Sequence, residues 1–212
     1  MTDRPNRQTR KRLATRQSIS DAATRLFLER GFEGVTIDEI AAAADVGRMT
    51  VFNHFPRKED MFFDQDQEAR DVVLDAIRSR DPEMAPVEKL RLLAHRLIAE
   101  DRSYIRFFDE SRRFVETVAA SEALKARARA IRDEVVRSMT EALATSFGRP
   151  ASDPDAYLTA SLLMATWTVA FIQAHDVYRS RSDPEPAKAA FLAIIDRGAT
   201  GIKAAIAGTT YA

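Results

Sequence analysis

Apolar positions recur at helical spacing along most of the chain. Ile19, Ala22, Ala23, Leu26 and Phe27 fall at i, i+3, i+4, i+7 and i+8, the buried face of a first helix, and Gly31 suits its C-terminal end. Thr36-Ile37-Asp38-Glu39 has the form of a capping box, so a second helix starts there, with Ile37, Ile40, Ala41 and Ala44 as its apolar side. Asp45-Val46-Gly47 interrupts the pattern, Val51 and Phe55 restart it, and Pro56 ends a third helix. From Lys58 the pattern predicts a fourth helix to about Arg80, carrying Met61, Phe62, Val72, Val73 and Ile77, which "RDPEMAP" breaks. Further helical tracts are predicted at about 87–101, 103–118, 121–147, 154–180 and 184–207. No segment alternates with strand periodicity, so the fold class is all-α: an N-terminal three-helix domain over 1–60, followed by a larger helical domain over 61–212.

Composition narrows the function classes. Hydrophobic residues make up 45% of the 212 positions and charged residues 30%, the balance of a packed globular protein. No apolar run reaches the roughly 20 residues that span a bilayer, and no apolar stretch follows the N-terminal charges, so the expectation is a cytoplasmic protein with no membrane partner. Cysteine is absent and His54, His95 and His175 are far apart, which gives no basis for a metal site. No cofactor motif or catalytic constellation is present either, so the expectation is a protein that is not an enzyme. The net charge is zero, yet residues 1–16 carry six basic residues against Asp3 alone. On composition this reads as a solvated arm; beside a nucleic-acid-binding unit it becomes a polyanion contact.

Such a unit follows. Residues 36–56 give helix, tight turn and helix, with Ala41, Val46 and Val51 closing a small core. With Val51 and Phe55 inward, Arg48, Met49, Phe52 and Asn53 face outward. That face suits a major groove, since Arg donates bidentately to guanine, Asn pairs with adenine and Met packs on a thymine methyl. Thr36, Gly47, Thr50, His54 and Lys58 sit at helix ends, where they meet phosphates.

The run "FLERGFEGVTIDEIAAAADVGRMTVFNHFPRKEDMF" resembles the N-terminal signature of the TetR family of bacterial transcriptional regulators over roughly residues 15–65. The resemblance is carried by Phe27, Gly31, Phe32, Thr36, Ile40, Ala41, Ala44, Val46, Thr50, Phe52, His54, Phe55, Pro56, Lys58 and Glu59. It implies a homodimer that binds an operator in double-stranded DNA and whose C-terminal helices hold a small-molecule effector. Asp45, Gly47, Met49 and Phe52 stand where the family usually has Gly, Ser or Thr, a small residue and often Tyr. Asp45 tolerates a left-handed turn, and Gly47 forgoes a hydroxyl cap. The function expected is a repressor released from a palindromic operator by its effector. An effector-independent DNA-binding protein, or an all-α ligand-binding protein or enzyme, is the alternative.

In the C-terminal part, Met164, Trp167 and Phe171 share one helix side, with the polar Gln173 and His175 close by in sequence. Arg106, Asp109 and Arg113 surround Phe107 and Phe108. These residues, Phe107 included, are the expected effector contacts, against the ordinary alternative that they are core and surface. Lys125, Arg129 and Arg132 share a face on which Asp133 compensates Arg129 at i+4. The run "RMTVFNHFPRKEDMFF" is similar to that of a TetR subgroup with acyl-CoA-like ligands, which would make the effector anionic. The last two tracts, with Gly198 and Gly201 allowing close approach, are the expected dimer interface.

Overall fold

The computed structural model describes residues 6–64, 66–79, 84–102 and 105–212, and only the backbone of 66–68. Among these residues every regular element is a helix: α1 (Arg7–Arg30), α2 (Ile37–Ala43), α3 (Arg48–His54), α4 (Lys58–Phe62), α5 (Asp66–Arg78), α6 (Pro86–Ala99), α7 (Asp109–Ala120), α8 (Glu122–Ser146), α9 (Pro154–Arg181) and α10 (Pro184–Ala205). They group into two units, one of Met1–Gln65 with Glu116–Arg127, the other of Asp66–Val115 with Ala128–Ala212.

In the first unit α1 starts far earlier than its apolar face. The Asn6 side chain accepts from the Thr9 N–H at 2.8 Å, an N-cap that begins the helix at Arg7 and leaves Arg7–Ala14 helical and exposed. The basic segment is thus helix from Arg7 onward and not a structureless arm; Arg4 lies outside the described residues. α1 ends at Gly31, whose φ of 77° is a conformation that side chains with a Cβ rarely adopt. Phe27, at the end of its buried face, packs on Phe32 and Phe62 at ring distances of 5.0 and 5.9 Å.

The continuous fourth helix expected from Lys58 is two helices, α4 and α5. α4 closes at Phe63, where the backbone leaves helical geometry, and the next side chain, Asp64, is drawn to Arg16 of α1. The predicted end at Arg80 and the start of the 103–118 tract lie outside the described residues; α5 ends at Arg78 and α7 begins at Asp109. Arg106 and Phe107 therefore precede a helix and do not lie within one.

The second unit is built around α6, α8, α9 and α10. Asp153 and Asp183 cap α9 and α10, accepting from the N–H groups of Asp155 and Glu185 at 3.1 and 3.0 Å, with Pro154 and Pro184 as the first helical residues. Only Ser182 and Asp183 separate the two helices, so they fold back antiparallel. Their facing residues are small: Ala156, Ala160, Ala170 and Ala174 on α9, Ala187 and Ala199 on α10. Gly198 makes the tightest approach, where a Cβ would lie 2.2 Å from Thr166 Cγ2. Its close approach serves packing within the chain. The C-terminus is tied down by Tyr211, whose hydroxyl donates to Asp153 Oδ2 at 2.8 Å and whose ring meets Phe147 edge-on at 5.1 Å. Burial pushes that phenol up to about 12.

By length and composition α9 could cross a bilayer, which corrects the expectation that no stretch approaches that length. In the fold its Ala156, Ala160, Leu163, Ala170 and Ala174 are buried in the core of the unit.

Candidate nucleic-acid interface and candidate effector cavity

The helix-turn-helix begins with the expected capping box. The Thr36 hydroxyl accepts from the Glu39 N–H at 3.3 Å, and the Glu39 carboxylate accepts from the Thr36 N–H at 2.8 Å. That backbone bond, with a second from Arg30, lowers the Glu39 carboxyl to about 2. The turn closes with Val46 N–H donating to Ala41 O at 3.0 Å, and Asp45 takes φ 52°, the left-handed conformation that the sequence requires of it. Gly47 then caps α3 through its backbone alone, its carbonyl accepting from Thr50 N–H at 2.8 Å.

Two anchors hold α3 from below, Val51 and Phe55, both fully buried. The opposite side is open: Met49 is 71% and Phe52 39% exposed, and Arg48 and Asn53 are exposed beside them. Single exposed apolar residues are ordinary, but Met49 and Phe52 lie one turn apart on the same face, a small grouped patch. Arg48 is not loose. One of its terminal nitrogens reaches both Asp38 oxygens at 2.7 and 2.9 Å, and its guanidinium lies 5.6 Å from the Phe52 ring. Asp38, on α2, has no place in the sequence-based site.

Arg16 is the other residue whose role only the fold reveals. It counts as one more charge of the basic segment, yet its Nη1 donates to the His54 carbonyl at 2.6 Å, capping α3. Its Nε donates to Asp64 Oδ1 at 2.9 Å, and its guanidinium lies 4.1 Å from the Phe55 ring. Arg16→Ala leaves a helix-end carbonyl and a largely buried carboxylate without this partner. It is expected to lower stability of the N-terminal unit by about 2 kcal/mol. Faster amide hydrogen exchange in α3, with Trp167 fluorescence unchanged in the second unit, is the check; protection equal to wild type would remove Arg16 from this role.

Other expected contacts are partly committed. The Thr36 hydroxyl also bonds Glu39 Oε2 at 2.8 Å. The Lys58 amine donates to the Phe32 carbonyl and lies 4.2 Å from the Phe32 ring, and burial lowers its pKa. Burial, with Arg12 and Arg16 nearby, also lowers the pKa of the His54 ring, which favours its neutral form. Residues 116–127 belong to this unit through Ser121 Oγ donating to Glu33 at 2.7 Å and Arg127 Nε donating to Asp60 at 2.7 Å.

In the second unit the structure brings Met164, Trp167 and Phe171 to one cavity of about 230 Å³, with Phe191 of α10 and Arg70 of α5 on its wall. Phe107 and His175 stand behind the wall, their rings 6.4 and 4.4 Å from Phe171. The other expected contacts lie elsewhere. Arg106 is exposed and pairs with Asp101 at 2.9 Å; Asp109 accepts from the Tyr178 hydroxyl at 3.5 Å; Arg113 and Gln173 are exposed. Asp133 pairs with Arg132 at 3.4 Å, where the sequence spacing pointed to Arg129.

A capped positioning helix, a left-handed turn and an anchored second helix with an open outer face define a helix-turn-helix protein. Residues 19–64, the segment that holds the helix-turn-helix, match the model of the bacterial regulatory proteins, tetR family. Over 48 residues it is 42% identical to the HTH-type transcriptional repressor DhaR of Mycobacterium sp. (strain GP1), 23% of this chain and 24% of that protein. It is 46% identical over 48 residues to the HTH-type transcriptional regulator AcrR of Shigella flexneri, 23% and 22% of the two chains. The matched stretch thus spans about a quarter of these relatives' length. The fold as a whole is similar to that of a TetR-family regulator from Mesorhizobium loti MAFF303099, with a TM-score of 0.57 at 21% identity over 95% of this chain and 98% of that one. It is also similar to SmeT of Stenotrophomonas maltophilia in complex with triclosan, with a TM-score of 0.57 at 21% identity over 89% and 91%.

Proposed function

We propose that this protein is a cytoplasmic, dimeric transcriptional repressor. In this reading residues 1–60 read a palindromic operator in double-stranded DNA, and residues 61–212 dimerise and bind a small molecule that releases it. The observation that carries the reading is the outer face of α3, where Arg48, Met49, Phe52 and Asn53 stand exposed over the buried Val51 and Phe55. Phosphate contacts come from the exposed basic residues Arg7, Arg10, Lys11 and Arg12 of α1, and from Gly47 and Thr50 at the start of α3. A second copy fits α9, where Leu158, Val169 and Ile172 are 43%, 54% and 53% exposed, with Ala165 between them on the same face. The test is an electrophoretic shift on the intergenic DNA flanking its gene, against random DNA of equal length. Two-fold symmetric, salt-sensitive binding to the former supports the reading, and equal affinity for both contradicts it.

Asp38 makes a further prediction within this reading. Its carboxylate neutralises the first cation of α3, so Asp38→Asn is expected to tighten binding to random DNA roughly three- to tenfold at low salt and to steepen the salt dependence. The ion pair is exposed, and stability should change by less than about 0.5 kcal/mol. Anisotropy titrations at several salt concentrations read both quantities; an unchanged random-DNA affinity would show that Asp38 exerts no such restraint.

A further inference from the structure

The cavity of the second unit is small, apolar and nearly free of charge. Trp167, Phe171 and Phe191 line it, together with Met139 and Met164. Trp167 and Phe191 meet edge-on at 5.9 Å, and Phe107 supports Phe171 and Phe191 from behind at 6.4 and 6.2 Å. An apolar cavity of about 150 Å³ takes up benzene, so one of about 230 Å³ has room for one or two rings. The nucleotide and phosphates of a coenzyme A thioester exceed that volume and would have to stay outside it.

Charge points the same way. Arg70 is the one charged side chain on the wall among the described residues, and it is already paired with Glu134 at 3.6 Å. An anionic ligand would have to displace that carboxylate or enter unpaired, against the cost of desolvating its charge. The cations Arg132 and Arg137 line an adjoining groove between α8 and α9 that shares Met164 with the cavity, and neither of them is on the cavity's own wall. Behind Phe171 lies a polar group without a partner, His175. It is 4% exposed, its ring is packed edge-on against Phe107 and Phe171 at 5.2 and 4.4 Å, and neither ring nitrogen has a hydrogen-bond partner. A neutral imidazole can pair with a ligand hydroxyl or carbonyl once Phe171, which covers it, turns aside.

We propose that this cavity binds a compact, uncharged, ring-built molecule bearing at most one hydrogen-bonding group, and not an anionic acyl thioester. The proposal rests on the effector reading above and names the chemical class of its ligand. Trp167 is the only tryptophan of the chain, so its fluorescence reports occupancy directly.

The experiment titrates the full chain, bound to the intergenic DNA flanking its gene, with adamantanol, adamantane carboxylate and octanoyl-CoA. Trp167 fluorescence and DNA anisotropy are read together. Adamantanol is expected to change Trp167 fluorescence saturably, the carboxylate to bind at least about tenfold more weakly, and octanoyl-CoA not to saturate. Val73→Phe and, separately, Val135→Phe narrow the cavity and should abolish the adamantanol response while the protein still melts cooperatively. Equal or tighter binding of either anion, or no saturable adamantanol response, overturns the proposal. Saturation by adamantanol with DNA still bound keeps the ligand class and removes the effector reading; release by octanoyl-CoA alone does the reverse.

Discussion

Gly198→Ala is expected to lower stability by about 2 kcal/mol, although alanine is the better helix former by about 1 kcal/mol. The reason is the α9–α10 crossing. A Cβ at position 198 would lie 2.2 Å from Thr166 Cγ2, 2.7 Å from its Oγ1 and 3.1 Å from its Cβ. Threonine is branched at that carbon, so no rotamer clears all three contacts, and the helices must separate. Separation opens a seam otherwise closed by Ala170, Ala174, Phe191 and Ile195, all buried. A chain of this size loses about 2–4 °C of melting temperature per kcal/mol. Thr166→Ala removes the two nearest atoms, so the double variant should recover most of the loss. If the two substitutions simply add, the crossing is not the cause. At Gly201 a Cβ would meet no neighbour within 4 Å, and Gly201→Ala serves as the neutral control.

Acid is expected to weaken the second unit through His175. Burial holds this imidazole at about 4, against an ordinary value of 6.5 in the unfolded chain. Between those values the unfolded state binds a proton that the folded state does not, so stability rises with pH across the window and is lost as pH falls through it. From pH 7 to pH 4.5 the loss is about 2 kcal/mol. The depressed carboxyls act lower: Glu88, held at about 2 by hydrogen bonds from Arg91 and Lys203, contributes stability that is lost only as pH falls below the ordinary carboxylate range. Urea unfolding followed at Trp167 separates the two. His175→Leu should flatten the profile between pH 6.5 and 4.5 and leave the lower limb intact. An unchanged upper limb would show that another group carries it.

The helix-turn-helix was legible in the sequence because its determinants are local. The capping box needs residues three apart, the left-handed turn needs Asp45, and the inward and outward faces of α3 follow from Val51 and Phe55 four apart. What could not be read were side chains whose partners are distant. Arg16 looks like a surface charge until α1 passes the end of α3, and Asp38 looks like a first-turn acid until the turn brings Arg48 to it. Residues 116–127 join the N-terminal unit through partners 88 and 67 positions away. In the second unit, Met164, Trp167 and Phe171 could be named from their spacing alone, whereas Arg70 and Phe191 reach the same cavity from other helices. Arg106, Arg113 and Gln173 are polar residues near aromatics in the sequence, and polarity is also what keeps a side chain in water.

The most direct test of the account concerns the outer face of α3. Fluorescence anisotropy should compare the wild type with Arg48→Ala/Asn53→Ala on the intergenic DNA flanking the gene and on random DNA, at one salt concentration. Both positions are exposed, so the melting temperature should hold. Wild-type discrimination is expected to be at least about a thousandfold, and the variant's affinity for the intergenic DNA to fall to its affinity for random DNA. A folded variant that discriminates as well as the wild type would contradict it.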